Sequence, residues 1–280
     1  MILPFTKMHG LGNDFVVLDF MRAQPSEPID FGELAKDVCR RGLSVGADGL
    51  LVVLPEEGVD ARMRIFNADG SEAQMCGNGI RCVARLLHDR RYSLGRELRI
   101  ATKAGVRSIA VTVTPDGCFA AATVDMGQPE FEASKVPAIG VGRLLDIPVN
   151  TESGTYILSA VSMGNPHGVV FVDDVDAFPV HEVGAQLEVN PLWPEKANIE
   201  FASINGHDIK MRAWERGVGE TLACGTGACA VAAAAIATGR GTAPFDIEIK
   251  GGMLHIDVSP SGSMLMTGPA EVVFKSEICF

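Results

Sequence analysis

Short runs of alternating or blocked apolar residues dominate the chain. They include FVVLDF (15–20), GLLVVLP (49–55), ARMRIFN (61–67), VRSIAVTVT (106–114), AATVDM (121–126), YILSAVSM (156–163) and GVVFVDD (168–174). NIEFASI (198–204), DIKMRAW (208–214), FDIEIKG (245–251), MLHIDVS (253–259) and AEVVFKS (270–276) continue the series. Runs of this kind, rich in Val, Ile, Phe and Thr and bounded by turn residues, predict β-strands. A different period marks FGELAKDVCRR (31–41), NGIRCVARLLHDRR (78–91), FPVHEVGAQLEVN (178–190) and TGACAVAAAAIATG (226–239). These predict helices. Strand runs outnumber helical ones about three to one, which is not the regular alternation of a doubly wound sheet. The pattern predicts an α+β fold of strand-rich domains, each with a principal helix packed on its sheet. The small residues of ACAVAAAAIA let that helix approach a sheet closely, so it is expected to be central and buried. Gly and Pro interrupt the strand pattern in MGQPEFEASKVP (126–137), a candidate boundary. The expected domains are 1–126 and 127–266, with a last strand at about 267–280 returning to the first.

Two stretches echo each other: FNADGSEAQMCGNGIRC from Phe66 and WERGVGETLACGTGACA from Trp214. One shift brings Met63 onto Met211, Arg64 onto Arg212, Glu72 onto Glu220, Cys76 onto Cys224, Gly77 onto Gly225 and Gly79 onto Gly227. At nearly the same spacing, MHGLGNDFVVLD from Met8 matches SMGNPHGVVFVD from Ser162, which sets Asn13 against Asn165. Two correspondences in the same order predict a duplicated unit, and so two pseudo-symmetric halves facing one another across a cleft.

In each echo a strand leads through a Gly-rich turn to Cys and then to a helix. The Cys therefore falls at a helix N-terminus, where backbone N–H groups point outward and the dipole is positive. Both effects lower a thiol's pKa. The same N–H groups suit a carboxylate, and the glycines let the backbone come close. Two thiols flanking one α-carbon would suit stereochemical inversion, one removing the α-proton and the other returning a proton to the opposite face. That chemistry requires no metal and no other cofactor.

Charge and composition narrow the classes. The chain has 280 residues, enough to bury a large core. Its net charge of −11 argues against nucleic acid as a partner. No apolar run reaches the roughly 20 residues of a membrane span, and no secretion signal is visible at the start. A cytoplasmic protein with a small-molecule ligand is expected. Seven cysteines, none in a C-x-x-C pair, do not look like a disulfide framework or a zinc ribbon. Cys39, Cys82, Cys118, Cys229 and Cys279 read as small buried apolar residues.

The motifs KMHGLGNDFVVLD, GADGLLVV, RIFNADGSE, QMCGNGIRC, VSMGNPHGVVFVDD, ERGVGETLACGTGACA and MTGPAEVVF resemble those of the cofactor-independent diaminopimelate epimerases. They run in order from Lys7 to Phe274. The proline-racemase group also pairs two cysteines, but typically carries C-G-H-G where this chain has Asn78. The Glu215–Arg216 pair also favours the diaminopimelate enzymes.

The resemblance implies an isomerase that interconverts LL- and meso-2,6-diaminopimelate in lysine and peptidoglycan precursor synthesis, and a homodimer. It implies that Cys76 and Cys224 are the acid/base thiols, and that Gly77, Asn78, Gly225 and Thr226 hold the reacting carboxylate. Asn13 would lie near the reacting end. Asn67, Asn165, Asn198, Glu215 and Arg216 would bind the distal amino-acid head. That set also makes chemical sense alone, since Arg216 can grip a carboxylate and Glu215 can accept from an ammonium. His167 reads as a residue that orients or packs near the site, because two thiols already supply both proton transfers. Glu72 and Glu220, just ahead of the cysteines, suggest a helix-entry or hydrogen-bonding role. Gly49 stands where some relatives carry Gln, which removes a polar contact. A thiol-redox or amino-acid-binding protein is the rival reading from another class.

Overall fold

A computed structural model of the protein describes residues 2–25, 27–93 and 95–280. The chain forms two compact units, one of residues up to Asp125 together with Thr267–Phe280, the other Met126–Met266. All four expected helices are present.

The first unit contains β1 (Ile2–Gly10), β2 (Asn13–Asp19), α1 (Phe31–Val38), β3 (Gly49–Leu54), β4 (Ala61–Asn67) and β5 (Glu72–Ala73). It continues with α2 (Gly77–Asp89), β6 (Glu97–Thr102), β7 (Gly105–Val113) and β8 (Phe119–Asp125). The second contains β9 (Ile147–Thr151), β10 (Gly154–Ser162), β11 (Pro166–Phe171), α3 (Val180–Glu188), β12 (Asn198–Asn205), β13 (Asp208–Glu215) and β14 (Gly219–Thr221). Then come α4 (Gly225–Ala237), β15 (Phe245–Ile249), β16 (Gly252–Val258) and β17 (Met264–Gly268), which runs through the boundary. The chain ends in β18 (Glu271–Cys279), in the first unit.

The strand pairings repeat. In the first unit β18 and β1 pair antiparallel, as do β1 and β2; β2 and β3 pair parallel, β3 and β4 antiparallel, β4 and β6 parallel, β6 and β7 antiparallel. In the second, β9, β10, β11, β12, β13, β15 and β16 follow the same sequence of senses. The short β5 and β14 each form a hairpin on β4 and β13. The terminal strand β18 thus takes in the first unit the place that β9 takes in the second. The strands that the hydrophobic pattern did not reveal, such as β1, are interrupted by polar residues or prolines: Pro4, Lys7 and His9 break its alternation.

Each unit has its own apolar core. Phe5, Val16, Leu18, Leu34, Leu50, Val52 and Phe66 form part of one, under α1. Leu158, Val170, Val183, Leu187, Trp193, Ile199 and Phe201 form part of the other, under α3. The helices after the two cysteines differ in exposure. Helix α2 buries Ile80, Val83, Ala84 and Leu87 and leaves a polar face. Helix α4 is alanine-rich and buried from Ala228 to Ala235, as its small residues foretold. Among the described residues no helix is long and apolar enough to cross a membrane.

Candidate active site

The two cysteines occupy the same structural position. Cys76 is the N-cap of α2, with extended backbone (φ −141°, ψ 121°), and its Sγ accepts from the Gly79 N–H at 3.4 Å. Cys224 is the N-cap of α4 (φ −120°, ψ 102°), and its Sγ accepts from the Gly227 N–H at 3.3 Å. Sulfur here takes the role that a Ser or Asp oxygen usually fills at a helix start. The N–H groups of Gly77 and Asn78, and of Gly225 and Thr226, lie at the open ends of these helices, where an anion is favoured.

In both units an ion pair braces the approach to the cap. Arg64 grips Glu72 through Nε–Oε1 at 2.7 Å and Nη2–Oε2 at 3.3 Å. Arg212 grips Glu220 in the same two-point way, at 2.6 and 3.1 Å. Each pair ties a long strand to the short one that leads into the cysteine turn, which gives Glu72 and Glu220 their role. Lys250 and His181 also reach Glu220, at 2.8 and 2.9 Å. Burial alone would raise the Glu220 carboxyl, but the hydrogen bonds from Arg212 and Lys250 outweigh it and hold it at about 2.

Around Cys76, Asn13 is the organising residue. The acceptor-only carboxylate of Asp48 takes a hydrogen bond from Asn13 Nδ2 at 2.8 Å, which fixes the amide's orientation. Asn13 Oδ1 therefore faces the turn, where it accepts from Asn78 Nδ2 at 3.1 Å and from the Cys76 thiol at 3.8 Å. Behind it, Arg41 bridges Asp14 and Asp48 at 2.5 and 2.7 Å, and Lys7 reaches Asp14 at 2.6 Å. Arg81, wholly buried on α2, donates to the Gly77 and Pro269 carbonyls, and Arg85 donates to Ala270. These bonds fasten the start of α2 to the chain leading into β18. Asn67 stands apart from this group: it closes its own turn, with Nδ2 on Ser71 Oγ at 2.9 Å.

Around Cys224 the neighbours are acidic. Burial pushes the Cys224 thiol well above its ordinary value, and the carboxylates of Glu215 and Glu200 push it further; the Thr226 hydroxyl, 3.6 Å from Sγ, and the Gly227 N–H pull the other way. The helix-start N–H lowers the thiol as expected, but it does not offset desolvation and two anions. Buried Asn198 accepts from the Arg216 N–H at 2.9 Å and donates to the Pro166 carbonyl at 3.4 Å. Glu215 accepts from Thr221 at 2.6 Å, and Arg216 extends over the surface to the Glu195 carbonyl. Glu188 anchors the same turn by accepting from Trp214 Nε1 and from the Gly217 N–H, at 2.8 and 3.0 Å. Asn165 and His167 join at 3.0 Å, and His167 meets Glu200 at 2.8 Å.

Glu200, Glu188, Asp48 and Arg81 were not singled out from the sequence. Glu200 carried a usable signal: it is a lone charge inside the apolar run NIEFA, two residues from Asn198 and so on the same strand face. The expectation for two other thiols was wrong. Cys118 and Cys279 are exposed, the first in the β7–β8 hairpin turn and the second at the end of β18.

The family model for diaminopimelate epimerase matches residues 5–132 and 159–273. The chain belongs to the diaminopimelate epimerase family. A diaminopimelate epimerase of Pelotomaculum thermopropionicum is 46% identical over 277 residues, 98% of each chain. One from Pseudomonas aeruginosa is 45% identical over 99% of each. Among solved structures, a Bacillus anthracis phenazine biosynthesis protein of the PhzF family covers 100% of both chains with TM-score 0.72 at 20% identity. A hydroxyproline epimerase from Agrobacterium vitis covers 99% of this chain and 91% of its own, with TM-score 0.73 at 17% identity. At such identities these two structures speak for the fold alone. Against the family background, Gly49 has a local reason. A Cβ there would stand 2.8 Å from the Phe66 carbonyl oxygen, so any side chain would force β3 and β4 apart.

Proposed function

We propose that the protein interconverts LL- and meso-2,6-diaminopimelate, with Cys76 and Cys224 supplying the base and the acid. The observation that carries this reading is the duplicated cap: in each unit a thiol sits at a helix N-terminus beside outward N–H groups. Proton removal from an α-carbon needs a base near the carbon and a field that stabilises the charge spreading into the carboxylate. A thiolate and a helix end supply these together. Its reversal needs a protonated thiol, and the acidic surroundings of Cys224 favour the protonated form. Gly77, Asn78, Gly225 and Thr226 are the residues proposed to hold the reacting carboxylate. Asn13 aligns the first thiol, and Asn67, Asn165, Asn198, Glu215 and Arg216 are proposed for the distal amino-acid head.

The test is proton NMR in deuterated water. Reduced protein is incubated with LL-diaminopimelate and no added cofactor, with proline as a parallel substrate. Loss of the α-proton signal with growth of the meso isomer, on diaminopimelate alone, is the expected result. Exchange on proline alone would move the chain to the proline-racemase group. No exchange on either, with free thiols, would sink the reading.

A further inference from the structure

The repeat provides an internal control for one buried pair. Across the parallel β2–β3 pair, Phe15 lies opposite Gly49, and Leu51 follows two residues on. Across the corresponding β11–β12 pair, His167 lies opposite Asn198, and Glu200 follows two residues on. The second member of each pair lies against the equivalent glycine. A Cβ on Gly79 would stand 3.1 Å from Leu51 Cδ2; one on Gly227 would stand 2.6 Å from Glu200 Oε1 and 3.0 Å from Cys224 Sγ. All four side chains are buried. One place in the fold thus holds Phe and Leu behind Cys76, and His and Glu behind Cys224.

The polar pair is not required for this packing, because the first unit makes it with hydrocarbon. It is also costly. Burying ionisable groups carries a desolvation penalty that hydrocarbon of similar size does not. Glu200 recovers only part of that penalty: Oε1 meets His167 Nδ1 at 2.8 Å, while Oε2 has no hydrogen-bond partner among the described residues. What the pair adds is a carboxylate against the glycine that Cys224 also touches.

We propose that Glu200, backed by His167, is a positioning residue that sets a negative charge behind the Cys224 turn, at the place where the first unit has Leu51, and so keeps the proton on the Cys224 thiol. The proposal builds on the reading of Cys224 as an acid/base thiol. The charged and titratable groups facing Cys224 are Glu215 from β13 and Glu200 from β12, with His167 of β11 behind Glu200. From α4 itself come the Thr226 hydroxyl and the Gly227 N–H, which act in the opposite sense. Both carboxylates repel a thiolate. Glu215 has a counterpart of different charge, Asn67, in the first unit, so the two units differ in charge at both positions.

The experiment labels the full-length protein with iodoacetamide from neutral to alkaline pH and follows the Cys224 and Cys76 peptides by mass spectrometry. Exposed Cys118 serves as the internal standard. Only the thiolate reacts, so the rate tracks its fraction, which changes about tenfold per unit of pKa. In Glu200→Gln the Cys224 profile moves to lower pH, with labelling at neutral pH roughly tenfold faster, while Cys76 is unmoved. Glu200→Asp, which keeps the charge, stays close to wild type. The double variant His167→Phe/Glu200→Leu, which copies the first unit, moves like Glu200→Gln and decides the matter if the Gln protein does not fold. An unchanged Cys224 profile in the neutral variants would overturn the proposal. So would equal shifts at both cysteines, which would report loosening. Labelling needs no substrate, so failure of the epimerisation reading and failure of this one are separate results.

Discussion

The Cys76 unit and the Cys224 unit share strand order, hairpin, ion pair and cap, yet against the equivalent helix-start glycine one sets Leu51 and the other Glu200. Cys76 faces Asn13, whose amide is fixed by Asp48. Cys224 faces Glu215 and Glu200. Backbone geometry alone would make the thiols equivalent. A few side chains placed on an otherwise repeated frame distinguish their surroundings.

The largest expected effect treats the two units alike. Cys76→Ala and Cys224→Ala should each reduce epimerisation by at least about a thousandfold, near the upper range for loss of an acid/base group. Circular dichroism should be unchanged, since a thiol adds little packing. A variant of either kind that epimerised at the wild-type rate would break the pairing of the two thiols.

The next effect separates the units. Leu51→Glu places a carboxylate in the unit that has Phe15 in the place of His167, and Leu51 is fully buried. Urea unfolding should show a loss of roughly 3 kcal/mol or more, the cost of an unpaired buried charge or of the proton taken up to avoid it. The converse double change, His167→Phe/Glu200→Leu, should leave the second unit as stable or more so. If both changes cost the same, the polar pair has a packing role and the units do not differ as argued.

Much of this was legible in the sequence, for physical reasons. The echo around Cys76 and Cys224 was visible because a hairpin, an N-cap and a close-packed helix start each demand particular residue types at fixed spacing. The four helices were visible because their apolar periods are long. Strand β1 was hidden by Pro4, Lys7 and His9, whereas β18 was legible in AEVVFKS and runs on to Cys279. The equivalent placing of Phe15 and Leu51 in one unit and of His167 and Glu200 in the other was hidden more deeply. It depends on the register of two parallel strands, which local pattern does not encode. Exposure of Cys118 and Cys279 was missed because a cysteine's burial follows from its neighbours, not from its type.

The bracing ion pairs yield the two smallest effects and contrast the units once more. Glu220 is nearly enclosed and has three cationic or ionisable partners, whereas Glu72 is a quarter exposed and is held chiefly by Arg64, with Lys103 at 3.9 Å. The Glu220 carboxyl, at about 2 against an ordinary 4.5, is depressed in the folded chain. Its contribution to stability is therefore complete above the ordinary value and is lost as pH falls from 4.5 towards 2. Allowing for screening of the exposed Lys250 and His181, Glu220→Gln should cost about 2 kcal/mol at neutral pH and flatten the acid limb of the stability curve. Hydrogen bonds from Arg64 lower the Glu72 carboxyl as well, so the sign is the same. Solvent reaches this pair, and Glu72→Gln should cost under about 1 kcal/mol with little change in the acid limb. Chemical denaturation of both variants across acid pH measures the difference. Equal losses would mean that the hairpin geometry, and not the burial of Glu220, sets the strength of the brace.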